Sequence, residues 1–97
     1  MIRKYTPEAY YVYIAQCANG AMYTGYTKDV RRRMIEHNSG RGGRYTRSCR
    51  PLTLLASWIF HSRAEAMRAE REIKRLPHAQ KLRLAELAES FRESEHG

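Results

Sequence analysis

The sequence predicts a small α/β domain, a three-stranded sheet with helices packed against it in the order β-β-α-β-α-α. Three observations carry this expectation. A run rich in β-branched and aromatic residues is followed by Asn-Gly and a second such run, the pattern of a hairpin. Stretches with apolar residues at helical spacing lie on either side of an apolar run of nine residues, Leu52–Phe60. The chain is 97 residues long, enough for one core and too short for two domains.

Taken in order, residues 1–8 are polar with Pro7 near their end and are expected to be a flexible lead-in. The domain is expected over 9–92, with 93–97 a frayed acidic tail. Tyr10–Cys17 (YYVYIAQC) reads as the first strand, Asn19-Gly20 as a turn and Ala21–Gly25 as the return strand. Lys28–Asn38 places Val30, Met34 and His37 on one helical face, with Thr27 or Asp29 as N-cap and Asn38, Ser39 and Gly40 as the stop, Asn38 being the expected C-cap. Gly40–Pro51 (GRGGRYTRSCRP) reads as an exposed basic loop. Leu52–Phe60 reads as a buried strand, although periodicity alone also fits a helical segment. Arg63–Leu76 repeats apolar residues at 66, 69, 73 and 76, and Pro77 ends or kinks that helix. A last helix is expected over about His78–Arg92.

Composition narrows the function. Eighteen basic and ten acidic side chains give a net charge of +8. Fourteen of the basic residues are Arg, the side chain suited to bidentate phosphate contacts. Fifteen of the eighteen fall between 28 and 83, so a polyanion such as nucleic acid fits better than a small acidic metabolite. No apolar run approaches the roughly 20 residues of a membrane span, and the N-terminus lacks the apolar stretch of a secretory signal. A cytoplasmic location and no membrane association are therefore expected. The two cysteines, Cys17 and Cys49, could pair, but a reducing setting is the expectation, and neither has the spacing of a zinc site.

Tyr11-Val12-Tyr13 on the first strand and Tyr23-Thr24-Gly25 on the second stand ten residues apart. Thr27–Asn38 follows as a helix with three consecutive arginines, and Arg68–Leu76 as a later one. These four elements, in this order and spacing, resemble the GIY-YIG nuclease superfamily over about residues 9–83. The likeness is greatest to its small single-domain bacterial branch, the UPF0213-type proteins. The first motif departs from the family name, with Tyr11 and Val12 where Gly and Ile stand. The resemblance implies a three-stranded antiparallel sheet, an endonuclease that hydrolyses phosphodiester bonds, and one Mg²⁺ or Mn²⁺. It also implies Tyr13, Tyr23, Arg33, His37 and Glu70 as catalytic residues, with Glu70 the metal ligand.

The residues can be read beside that likeness. On a helical wheel Glu70 borders the stripe Ala66, Ala69, Ile73, Leu76, a place where a divalent cation could be held against a phosphate with waters and substrate oxygens completing its shell. The same placement fits an ion pair with Lys74 at i+4. Arg33 joins Val30, Met34 and His37 on the inner face of the first helix, whereas Arg31 and Arg32 turn outward. Tyr13 and Tyr23 share a sheet face only if the hairpin loop has an odd number of residues. A loop Ala18-Asn19-Gly20 with Gly20 left-handed in a bulge meets that condition, and a two-residue loop does not. With it, one tyrosine can orient or deprotonate water while the other hydrogen-bonds the phosphate, in either order.

Arg41, Arg44, Arg47 and Arg50 recur every three residues around Tyr45. Such a segment can follow a phosphate backbone, with Tyr45 stacking on an unpaired base. With Lys28 and Lys74 these form the expected nucleic-acid contacts. The expected substrate is DNA, branched or damaged DNA of repair or recombination included, with RNA left open. A non-catalytic nucleic-acid-binding module on the same scaffold is the rival reading. A third is a protein that meets a partner or a second copy through the C-terminal helix, Lys81–Phe91.

Overall fold

The computed structural model describes residues 8–41 and 49–96. Its elements are β1 (Tyr10–Gln16), β2 (Met22–Thr27), α1 (Val30–Asn38), β3 (Thr53–Phe60), α2 (Arg63–Lys74) and α3 (His78–His96), in the predicted order. The strands form one antiparallel sheet ordered β2-β1-β3. β1 lies in the middle and is covered on both faces, so Val12, Tyr13, Ile14 and Ala15 are all buried.

β3 is a strand, but not the buried one that its composition suggests. Only Ala56 is buried within it, and Leu54 and Ile59 are about half exposed. Apolar content cannot distinguish a central strand from an edge strand, and sheet order makes β3 an edge. It pairs with β1 through a register shift at Ile14/Ala15, a bulge that bends the edge.

The β1–β2 register pairs Tyr11 with Thr27 and Gln16 with Met22. Beyond it the Cys17 N–H donates to the Ala21 carbonyl and the Gly20 N–H to the Cys17 carbonyl, with Gly20 at φ +94°. The loop is therefore Ala18-Asn19-Gly20, three residues, and its last position needs the left-handed conformation that glycine adopts at no cost. Tyr13 and Tyr23 consequently share one sheet face.

That face is covered by α1. Asp29 is its N-cap, accepting from the Arg32 N–H at 3.0 Å, and Thr27 supports Asp29 from the preceding turn. The helix ends at Ser39, where Gly40 at φ +91° lets the Arg41 N–H reach the Glu36 carbonyl, a left-handed C-terminal stop. Beneath α1 lies one core cluster, Tyr13, Ala15, Cys17, Cys49 and Leu52, with Tyr23 and Met34 against it. The other sheet face carries Tyr10, Val12 and Ala66, with Tyr26, Phe60, Ala69 and Ile73 packed around them. There α2, capped by Ser62, lies on β1 and β2, and α3 packs on β3.

α3 begins directly after Pro77, whose carbonyl accepts from Gln80 and Lys81. It runs to His96, beyond the expected end near Arg92, because no Gly or Pro interrupts the chain before Gly97. Ala85 is buried on this helix and Leu87 is 55% exposed. No helix among the described residues is long and apolar enough to cross a membrane.

Candidate active site

Three elements bring four of the predicted site residues into contact. Tyr13 comes from the centre of β1, Tyr23 from β2 two pairs further along, and Arg33 and His37 from successive turns of α1. Tyr13 Oη and His37 Nε2 are 2.9 Å apart, both side chains buried. The Tyr23 ring meets His37 edge-on at 5.1 Å between centroids and lies 6.2 Å from Tyr13. Arg33 also hydrogen-bonds Tyr13. Since a guanidinium can only donate, the Tyr13 oxygen accepts from Arg33, and the tautomer of His37 sets which partner donates in the Tyr13–His37 bond.

Gly25 explains how the phenol fits. It stands opposite Tyr13 in the β1–β2 ladder, and a Cβ placed there would lie 2.7 Å from Tyr13 Oη and 2.9 Å from Cζ. The missing side chain at 25 is the space that the Tyr13 hydroxyl occupies. This role was not evident from the sequence; the signal that could have found it is the register, which puts the motif glycine across from the motif tyrosine.

The electrostatics follow from burial. Desolvation, then the neighbouring Tyr23, push the Tyr13 phenol up to about 12, with Arg33 pulling the other way and Glu70 adding to the rise. Tyr13 is therefore protonated at neutral pH. Burial first, and the Arg33 charge second, hold His37 below its usual pKa, so its ring is neutral at pH 7. Burial also works to lower the Arg33 pKa, but Glu36 and Tyr13 outweigh it and the guanidinium stays charged. Glu36 grips Arg33 at 3.0 Å and reaches Arg32 at 3.4 Å. Sequence reasoning passed over Glu36, although its i+3 spacing from Arg33 is a pairing signal.

Glu70 sits on α2 at the border of the apolar stripe, as the wheel requires: Ala66 is buried, while Glu65 and Glu72 are exposed. Its side chain is 20% exposed, and its carboxylate pairs with Lys74 at 3.3 Å. Its charge is felt at Tyr13, although α2 packs on the sheet face opposite the one that α1 covers. Among the described residues no three His, Cys, Asp or Glu side chains converge as a metal cage. One half-buried carboxylate suits an ion that keeps waters and substrate oxygens as its other ligands, with Lys74 released from the pair.

The expected nucleic-acid contacts are scattered. Lys28 is exposed, 3.8 Å from Glu8 and over the Tyr10 ring, outside the Tyr13 cluster. Arg41 is exposed beside Arg31 and Arg32 on the outer side of α1. Arg50 lies over Gly40, where a Cβ would come within 2.8 Å of its guanidinium. Arg44, Tyr45 and Arg47 lie outside the described residues.

Asn38, the expected C-cap of α1, does not cap it; Ser39 does. The Asn38 amide instead donates to the Leu52 carbonyl at 3.1 Å and accepts the Leu52 N–H at 2.7 Å. It mimics a strand partner and ties the end of α1 to the entry of β3. A contact across fourteen residues leaves no local signal in a sequence.

Comparison with known proteins agrees with this geometry. The family model for the GIY-YIG catalytic domain matches residues 9–83. The chain belongs to the GIY-YIG family. Its relatives include UPF0213 protein BH0048 of Halalkalibacterium halodurans, 50% identical over 78 residues, 80% of this chain and 83% of that one. UPF0213 protein VNG_2274C of Halobacterium salinarum is 51% identical over 72 residues, 74% of this chain and 94% of that one. Among solved structures, the solution NMR structure of BH0048 superimposes with a TM-score of 0.54 at 49% identity, covering 81% of this chain and 84% of that one. The solution NMR structure of EF2693 from E. faecalis gives 0.56 at 36% identity, covering 87% and 86%. The GIY-YIG domain is of a nuclease type, and its nucleases generally depend on a divalent metal and bind nucleic acid.

Proposed function

We propose that this GIY-YIG chain is a metal-dependent endonuclease acting on DNA, branched or damaged forms included. The observation that carries the reading is the convergence of Tyr13, Tyr23, Arg33 and His37 beneath α1, with the Glu70 charge acting on the same phenol. Tyr23 is the less buried of the two tyrosines, so its hydroxyl is the one assigned to the attacking water. Tyr13, protonated and hydrogen-bonded to neutral His37, holds the arrangement. Arg33, held by Glu36 and bonded to Tyr13, brings its positive charge to the phosphate, where negative charge grows as water attacks in line with the leaving oxygen. Glu70 would hold the Mg²⁺ or Mn²⁺, which supplies Lewis-acid stabilisation of the phosphate. Arg41, Arg44, Tyr45, Arg47 and Arg50 are proposed to track the backbone, with Lys28 and Lys74 at the margins.

The test is cleavage of labelled single strand, duplex, flap, four-way junction and RNA with Mg²⁺ or Mn²⁺, wild type beside Glu70→Ala. Metal-dependent cutting that the variant loses, with binding retained, is expected. A second reading, a binding module without catalysis, is favoured by the pairing of both charged site residues within their own helices, Arg33 with Glu36 and Glu70 with Lys74. Salt-sensitive binding by both proteins with no cutting by either would decide for it.

A further inference from the structure

We propose that Cys17 and Cys49 are a redox-active pair that a peroxide converts to an intramolecular disulfide, joining the β1–β2 turn to the return of the basic segment. They are the two cysteines of the chain, on segments far apart in sequence, and neither is in a disulfide. Both are buried, in the core cluster that also holds Tyr13. The Cys17 thiol is in hydrogen-bond contact with Cys49. One residue along, the Ala18 N–H donates to the Cys49 carbonyl at 3.0 Å, which holds the two backbone segments alongside each other.

The location gives the bond a consequence. The segment carrying Arg41, Arg44, Arg47 and Arg50 follows α1 in the sequence, and Cys49 near its end belongs to the core. Its base is held by the Asn38–Leu52 clamp, by Arg50 over Gly40 and by the Ala18–Cys49 hydrogen bond. A covalent link from Cys17 would fix that return to the central strand, next to Tyr13. The inference does not depend on the nuclease reading.

The chemistry balances with hydrogen peroxide as oxidant. One thiolate attacks a peroxide oxygen, the O–O bond breaks, and a sulfenic acid and one water result. The second thiol attacks the sulfenic sulfur, the S–O bond breaks, and the disulfide and a second water form. Burial, and then the Cys49 contact, push Cys17 up to about 11, so little Cys17 thiolate exists at pH 7. Oxidation is slow there and quickens roughly tenfold per pH unit as thiolate accumulates.

The full chain, treated with hydrogen peroxide at pH 7 and pH 9, is followed by intact mass and tryptic mapping. The expected product is 2 Da lighter, contains a peptide joining Cys17 to Cys49, reverts with dithiothreitol, and unfolds several degrees higher than the reduced protein. Cys17→Ser and Cys49→Ser, checked for folding by circular dichroism, should not show the 2 Da loss. Gains of 16 to 48 Da without the linked peptide, intermolecular dimers on a non-reducing gel, or linkage that appears only in urea would each overturn the proposal.

Discussion

Gly25→Ala tests the packing of the site with opposing signs. Gly25 lies inside β2 with no positive φ, so backbone preference alone makes alanine stabilising, by about 0.5–1 kcal/mol. The structure predicts the reverse. The new Cβ would stand 2.7 Å from Tyr13 Oη and 2.9 Å from Cζ. The ring cannot yield cheaply, being buried and bonded to His37 at 2.9 Å. Overpacking of this kind costs about 2 kcal/mol, and displacing the hydroxyl from His37 adds about 1 kcal/mol. Less the backbone gain, the net loss is about 2 kcal/mol, equivalent to a Tm drop of about 10 °C in a chain of this size. Urea and thermal unfolding give the number, and the His37 side-chain NMR resonances report whether its hydrogen bond is disturbed. Adding Tyr13→Phe, which removes the nearer of the two clashing atoms, should recover part of the clash. A Gly25→Ala protein as stable as wild type, with His37 resonances unmoved, would refute the reasoning.

Three further outcomes are expected. Asn38→Ala removes both hydrogen bonds to Leu52 and should cost about 1–3 kcal/mol, read from the urea midpoint, with Asn38→Asp only partly rescuing because it keeps the acceptor and loses the donor. His37 has a folded pKa below its unfolded value, so the unfolded chain binds its proton first. Stability should therefore fall as pH drops from about 6.5 toward the folded pKa, and a His37→Gln variant should show a flatter urea midpoint against pH over that window. Thr24 Oγ1 is buried with no hydrogen-bond partner among the described residues, so Thr24→Val should unfold at the same temperature as wild type or up to several degrees higher.

Much of the fold was legible because its signals are local. The hairpin is written in the run Tyr10–Cys17, in Asn19-Gly20 and in the parity argument for a three-residue loop; α1 in its capping aspartate and its Gly40 stop; α2 in its apolar stripe and Pro77. Arg33 as the inward arginine and Glu70 at the rim of its stripe follow from helical geometry alone, and both side chains lie where the wheel puts them. What failed depended on neighbours distant in the chain. β3 was misjudged as buried because sheet order, not composition, decides which strand is central. Asn38 was given to its own helix because its partner, Leu52, is fourteen residues away.

The sequence by itself determined the elements, their order, the positive charge and the family, since each rests on residue type at short spacing. The tertiary structure decided the chemical state of the site. Tyr13 is pushed up to about 12 and His37 is held neutral because the central strand and α1 exclude water from both, and no spacing rule contains desolvation. It also decided that Gly25 is the hollow for a phenol, that Glu36 and Lys74 hold the two charged site residues, and that Cys17 meets Cys49. Such pairings come from the closing of the sheet against its helices, which brings together groups that the chain keeps apart.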